Sequence, residues 1–373
     1  NLSIYMHAEN LTLLGHEVYL IMPTHSLEWI PDTYVELMNK INFDRNNLLN
    51  KIITKIINRF NYYSHNMSKT INGSEHVHFN VIQRECLRYL KQWQRSDVTI
   101  ATHWTTAYPT YFLSEKSKAF YYMQHYEEVF FSQEQVTERM LCRATYSLPI
   151  ALISNSPWLE SQILKRFGRQ SFRIDHAITR PDIFKTSTDE IKNKYAIMRK
   201  KNFRDIKIIS YCSLVPFKGW IYALDAMKIV KSRYPDIEWI TYGQRDSQSV
   251  LNLTQLGAIS DQMLANKYKE SCIGFLSSFY ESFPLPPIEM MACGCAVITT
   301  PYGTEAYAKD GYNCLLSEPR NSVDLANKII YLIENPDIAE RISLNGMSTS
   351  TYFTWEKSTK RLVDILQERE PAD

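Results

Sequence analysis

Two glutamates eight positions apart, Glu281 and Glu289, flank a run of prolines at 284, 286 and 287. A carboxylate accepts paired hydrogen bonds from vicinal hydroxyls such as those of ribose or a hexose. Pro286 and Pro287 mark the first turn of a helix, where proline is tolerated, and the backbone N–H groups at a helix start are a natural anion site. Pro284 has no N–H, which leaves Ser282, Phe283 and Leu285 as donors. Hydroxyls at both ends with phosphate between them describe a nucleotide sugar. On spacing alone, the two acids read equally well as exposed partners of the helix dipole.

Strand–helix alternation is what must position these groups. In the second half, strands are predicted over 207–212, 238–242, 273–277 and 296–300, with helices over 220–232, 261–270 and 287–292. In the first half, strands are predicted over 97–101, 118–123, 150–154 and 173–178. Such spacing implies α/β architecture with parallel, doubly wound sheets, which bind ligands at the carboxyl ends of their strands. The lysine-rich stretch 185–205 reads as a linker plus a surface helix and marks the boundary between the halves. The chain opens on a helix, Leu2 to Leu14, ending at Gly15 and feeding a strand from His16 to Met22. The strand that should precede that helix is not in the sequence, so either the chain is truncated or the sheet begins one strand short.

Composition narrows the classes. At 373 residues the chain has room for two domains. A net charge of +2 does not point to nucleic acid, which needs a concentrated basic face. The seven cysteines are scattered, and Cys293 and Cys295 form a C-x-C rather than the C-x-x-C of zinc or redox sites, so they read as buried free thiols in a reducing compartment. No apolar stretch is long enough to cross a bilayer and no signal peptide opens the chain, which places it in the cytoplasm. An apolar stripe over 48–60, flanked by Lys51, Lys55 and Arg59, could lie on an anionic membrane; as an ordinary amphipathic helix it packs on its own domain.

The segment from Ser277 to Thr300 resembles the donor-site signature of retaining glycosyltransferases of family 4, which have the GT-B fold of two Rossmann-like domains whose parallel sheets face a central cleft. The matching residues are Glu281, Glu289, Ala292-Cys-Gly294 and the strand from Ala296. The resemblance continues through Pro301-Tyr-Gly-Thr-Glu305, which places Gly303 and Thr304 in the donor site, then through 310–315 and Phe353-Thr-Trp-Glu356. It implies that Glu281 holds hydroxyls of the donor sugar and Glu289 the ribose. The stretch Ser210 to Gly219 is similar to the family's first C-domain strand and phosphate loop, which implies that Lys218 neutralises the donor diphosphate as the sugar leaves. Gly243 and the stretch around Leu256 and Gly257 match the places where the nucleotide base passes along backbone, so base identity is not written in side chains there.

In the first half, Tyr121 to Phe130 resembles the strand end that carries the family's active-site histidine, here His125. In retaining members the leaving phosphate is the base toward the acceptor, so His125 is expected to position the donor and stabilise charge. His103, also at a strand end, is a weaker counterpart. The first-half motifs are similar to a branch that builds bacterial surface polysaccharides, including rhamnose-rich ones. The resemblance thus implies three parts: an acceptor-side domain over 1–184, a nucleotide-sugar domain over 185–351 and a C-terminal helix over 352–373 returning to the first domain. The expected partners are a nucleotide sugar and a glycan or lipid-linked acceptor, with no cofactor and no metal, because no Asp-x-Asp lies where an ion would hold the diphosphate.

Three departures favour a competing reading, a non-catalytic glycosyltransferase-like subunit. Ser213 stands where the family usually has arginine, leaving Arg245 or Arg180 to supply a second positive charge; His176-Ala177 replaces the usual Asn-Gly; and the first strand with its glycine-rich loop is missing. If the chain starts at Asn1, without that strand, it is expected to bind nucleotide but transfer sugar poorly. A dehydrogenase or epimerase needs a G-x-G-x-x-G at a strand–helix turn, and none is present.

Overall fold

The computed structural model describes residues 2–20, 90, 93, 95–200, 202–247 and 253–368. The basic stripe over 48–60 and Cys86 lie outside the described residues. The chain divides into two compact units, one comprising residues up to 155, 160–174 and 359 onward, the other comprising 156–159 and 175–358.

The first unit holds a four-stranded parallel sheet in the order β1 (Val98–Ala101), β2 (Lys118–Met123), β3 (Ala151–Ser154), β4 (Phe172–Arg173). Alternation along β2 splits its side chains between two faces. Phe120 and Tyr122 pack with Ile153, Phe172, Ile174 and with Leu362 and Ile365 from the helix Trp355–Gln367. From the same strand, Tyr121 stacks on Tyr146, with ring centres 6.1 Å apart and planes within 9°. The expected strand over 173–178 stops at Arg173, because the chain passes into the second unit at Asp175. The helix Leu2–Leu13 forms, with Gly15 at φ 90° after it, but residues 16–20 carry no ladder among the described residues, and 21–22 lie outside them.

The second unit holds six parallel strands in the order β10-β9-β8-β5-β6-β7. These are β5 (Lys207–Cys212), β6 (Glu238–Gly243), β7 (Thr254–Gln255), β8 (Ile273–Phe275), β9 (Ala296–Thr299) and β10 (Leu315–Leu316). Helices cover both faces, so β8 and β9 are buried at every residue, which is why they read as unbroken apolar runs. From β5 the chain winds outward through β6 to β7, then returns to the other side of β5 for β8 to β10. The order therefore reverses beside β5, and the crevice at the carboxyl ends of β5 and β8 is the switch point where such sheets bind ligands.

The stretch read as a linker plus a surface helix contains that helix, and one face of it is structural. Ser187 caps the helix Thr188–Arg199 in a reciprocal capping box with Glu190. Ile191, Tyr195 and Met198 of that helix are buried in the second unit's core. The lysines that suggested a linker occupy its outer positions, with Lys194 as the exception described below.

Candidate functional site

The carboxyl end of β5 runs through Ser213 into a tight turn, Pro216–Lys218, that ends on Gly219 at φ 69°. A side chain at Gly219 would put its Cβ 2.1 Å from the carbonyl oxygen of Ser277, so only glycine lets the β5 and β8 loops approach this closely. Ser277 Oγ donates to the Lys218 carbonyl at 3.0 Å, and Phe279 N–H donates to the Phe217 carbonyl at 2.7 Å. These bonds bring Lys218 Nζ within 2.6 Å of Glu281 Oε1.

Glu281 is buried and tightly held. Ser278 Oγ donates to its Oε1 at 2.6 Å, and its backbone N–H donates to the Tyr302 carbonyl at 3.0 Å. Gly303 makes room for it: a Cβ there would stand 2.2 Å from the Glu281 carbonyl oxygen, and φ is 91°. Thr304 Oγ1 donates to the Thr300 carbonyl and Thr300 Oγ1 to the Ser278 carbonyl, both at 2.7 Å. Lys218, Glu281, Ser278, Thr300 and Thr304 therefore form one hydrogen-bonded assembly, with Gly303 packed against the Glu281 backbone. The β8 ladder ends at Phe275, two residues sooner than expected, because Ser277 and Ser278 turn aside to make these bonds.

The helix that follows is Leu285–Ala292, with Pro284 as its N-cap. Prolines at 284, 286 and 287 leave Leu285 as the sole carrier of an N–H among the first four positions, so cationic charge at this end must come chiefly from Lys218. Phe283 is a core residue: its ring lies 5.6 Å from His176, 5.2 Å from Tyr307 and 5.8 Å from Phe353. Its backbone is what remains for a ligand. Ser282 is buried, with Oγ 3.5 Å from Ser156 Oγ. Glu289 lies inside the helix and is buried; desolvation, reinforced by Asp261, pushes its carboxyl up to about 8 against a hydroxyl bond from Thr179.

A second group gathers at the ends of β6 and β7. Gly243 N–H donates to the Gly257 carbonyl at 2.9 Å and Leu256 N–H to the Thr241 carbonyl at 2.8 Å. Gln244 links this group to the β5 loop: its N–H donates to Cys212 at 2.9 Å and its side chain accepts from Leu214 N–H at 2.6 Å. Both arginines offered as a second positive charge have partners of their own. Arg180 pairs in a fork with Asp182, at 3.0 and 2.8 Å. Arg245 donates to the Leu256 carbonyl at 3.2 Å and lies over Gly257.

His125 belongs to the first unit, just past the end of β2. It is buried, with Nδ1 3.2 Å from the Tyr126 carbonyl and its ring 4.8 Å from Phe130. His103 is a helix cap, accepting from Thr105 N–H in a capping box with Thr106.

Several residues escaped the sequence reading. Glu127, two positions after His125, is buried, accepts from Trp104 N–H at 2.8 Å and Tyr121 hydroxyl at 3.0 Å, and is pushed up to about 7 by desolvation. It opens the short turn Glu127–Phe130 beside a second acid, Glu128, and no local signal separates the two. Ser278 was quoted in the signature but given no role. Phe217, Tyr280 and Trp158 form a stack beside Lys218, with centres 5.3 and 5.6 Å apart and planes within 9° and 8°. Among the described residues, no cluster of three or more His, Cys, Asp or Glu could hold a metal, the six described cysteines are free and buried, and no helix is long and apolar enough to cross a membrane.

Two Rossmann-like units with all-parallel sheets constitute the GT-B fold, and solved glycosyltransferases share it. A Rickettsia africae glycosyltransferase superimposes with a TM-score of 0.64 at 17% identity, covering 98% of this chain and 93% of that one. Anabaena HepE, solved in complex with UDP-glucose, gives 0.59 at 19% identity over 77% of this chain and 80% of its own. Residues 190–349, the segment that holds Lys218, Glu281 and Glu289, match the model of the family described as glycosyl transferases group 1. The O-antigen biosynthesis protein RfbC of Myxococcus xanthus is 25% identical over 276 residues, which is 72% of this chain. The chain spans about a fifth of that relative, 20% of its length.

Proposed function

We propose that this chain transfers a sugar from a nucleotide-sugar donor to a hydroxyl of a glycan or lipid-linked glycan, with retention at the anomeric carbon and without a metal ion, in the synthesis of a cell-surface polysaccharide. The observation that carries this reading is the Lys218–Glu281 contact of 2.6 Å at the sheet's switch point, inside the matched segment. A cation for diphosphate and a carboxylate for sugar hydroxyls stand side by side where such sheets take ligands. Lys218 stabilises the charge that develops on the leaving diphosphate, Glu281 orients the sugar, and Glu289 takes the ribose. The backbone at Gly243, Leu256 and Gly257 passes the base, while the loops holding Ser282, Phe283, Leu285, Gly303 and Thr304 shape the donor pocket. The second unit takes the donor and the first the acceptor, with His125 a positioning residue.

The surface-polysaccharide assignment draws on the name of the Myxococcus relative, and the nucleotide assignment on the UDP-glucose bound by HepE. We assign the chain to the cytoplasm, with peripheral contact at the inner face of the membrane through 48–60 as the alternative to a helix packed on its own domain; failure to co-sediment with anionic vesicles would remove that alternative. The activity is tested by thermal-shift titration with UDP, GDP, ADP and dTDP, followed by a nucleotide-sugar panel. At least one nucleotide should stabilise the protein, and Glu281→Ala should abolish turnover while keeping nucleotide binding. A response to none of them would favour the non-catalytic subunit.

A further inference from the structure

Lys218 Nζ and Ser278 Oγ converge on the same oxygen, Glu281 Oε1, each at 2.6 Å. Ser278 and Glu281 are buried, and the lysine side chain is 24% exposed, so solvent screens this ion pair only in part. The cation that the donor diphosphate needs is thus paired with the protein's own carboxylate. A phosphate oxygen brought to the same Nζ meets that carboxylate at close range, and like charges so placed repel. An arriving diphosphate therefore competes with Glu281 for the Lys218 ammonium.

The displaced carboxylate still has an anchor. Ser278 keeps its bond to Oε1, and Ser278 itself is fixed by Thr300, which donates to its carbonyl at 2.7 Å. The neighbouring Ser277 holds the Lys218 carbonyl at 3.0 Å, so the lysine backbone stays in place while its ammonium changes partner. We propose that Glu281 is an internal stand-in for the donor diphosphate, exchanged off Lys218 when the donor binds, and that Ser278 is the positioning residue that presents the released carboxylate to the sugar. This rests on the nucleotide-sugar reading above. It has an unusual corollary: the charge essential for transfer opposes binding of the diphosphate.

Calorimetric titration of the full chain tests it, using whichever of UDP, GDP, dTDP and ADP stabilises the wild type most. Glu281→Gln should bind that nucleoside diphosphate about three- to ten-fold more tightly than wild type, the effect of removing a partly exposed ion pair, and should not turn over. Ser278→Ala should bind it within about twofold of wild type yet lose kcat at nearly constant KM, with Ser278→Thr recovering most of the rate through its hydroxyl. Equal or weaker binding by folded Glu281→Gln, beside clear binding by wild type, overturns the exchange and leaves the donor reading standing. Wild-type rates from Ser278→Ala overturn the positioning role, whether or not Glu281→Gln folds. Absence of binding by wild type to all four nucleotides overturns both the exchange and the reading beneath it.

Discussion

Replacing Lys194 with methionine should weaken the second unit. The ammonium of Lys194 lies among four carbonyl oxygens: Ser271 and Gly294 at 2.9 Å, Cys293 at 3.3 Å and Tyr268 at 3.5 Å. Those carbonyls close the C-terminal ends of the helices Asp261–Glu270 and Leu285–Ala292, where unpaired C=O groups and the negative dipole end favour a cation. Methionine keeps the stem and removes the charge. Gly294 retains a second donor, Ser343 Oγ at 2.8 Å, whereas Ser271 keeps only the Cys295 thiol at 3.4 Å. One charge-assisted bond left uncompensated costs about 1.5–3 kcal/mol, and the two helix ends add about 0.3–1 kcal/mol each. A loss of about 3 kcal/mol lowers Tm by roughly 6–12 °C in a unit of this size. Scanning calorimetry of Lys194→Met beside Lys194→Arg measures it, with arginine recovering part of the loss. A fall below about 1 °C would refute the assignment of Lys194 as a clamp on both helix ends.

Three further outcomes follow from the same geometry. Glu289 is held at about 8 and Glu127 at about 7, above the ordinary carboxyl value of 4.5, both chiefly by desolvation. The folded state keeps protons that the unfolded chain releases, so this stability is full below pH 4.5 and is lost as pH rises through about 7 to 8. Tm should fall over that window, and Glu289→Gln should flatten the fall; an unchanged slope in the variant would contradict the buried neutral acid. Gly303→Ala forces a Cβ to within 2.2 Å of the Glu281 carbonyl oxygen. It should cost about 2–3 kcal/mol in denaturant unfolding and displace Glu281, removing turnover in whatever fraction folds; full activity would contradict the close approach. Turnover should persist in chelator, because Lys218 carries the charge a metal would otherwise meet, and a loss restored by magnesium or manganese would oppose this.

The elements that position the site were legible because buried parallel strands leave apolar runs and helices leave caps and prolines. Thus β2 and β5 stand where their residues predicted, and the Glu281–Glu289 spacing fell on a loop and a helix. Local pattern could not show what depends on folding. Lys194 meets carbonyls 74 to 100 positions away, and in sequence it is one more lysine on a polar helix. Ser278 reads as a loop serine until Lys218, from 63 positions upstream of Glu281, arrives on the same oxygen. The helix expected within 185–205 is there, but its buried face was not legible because the lysines of the stretch outnumber the three apolar residues that reach the core. Phe283 carried no mark separating a pocket wall from the core residue it is.

The claim beneath all of this is that Lys218 and Glu281 divide an activated sugar between them. A crystal structure of the chain soaked with the nucleotide sugar selected by thermal shift tests that most directly. The account predicts diphosphate oxygens on Lys218 Nζ, sugar hydroxyls on a Glu281 that has left the lysine but still accepts from Ser278, and ribose on Glu289. A ligand bound elsewhere, or a Lys218–Glu281 contact unchanged in the loaded site, would contradict it.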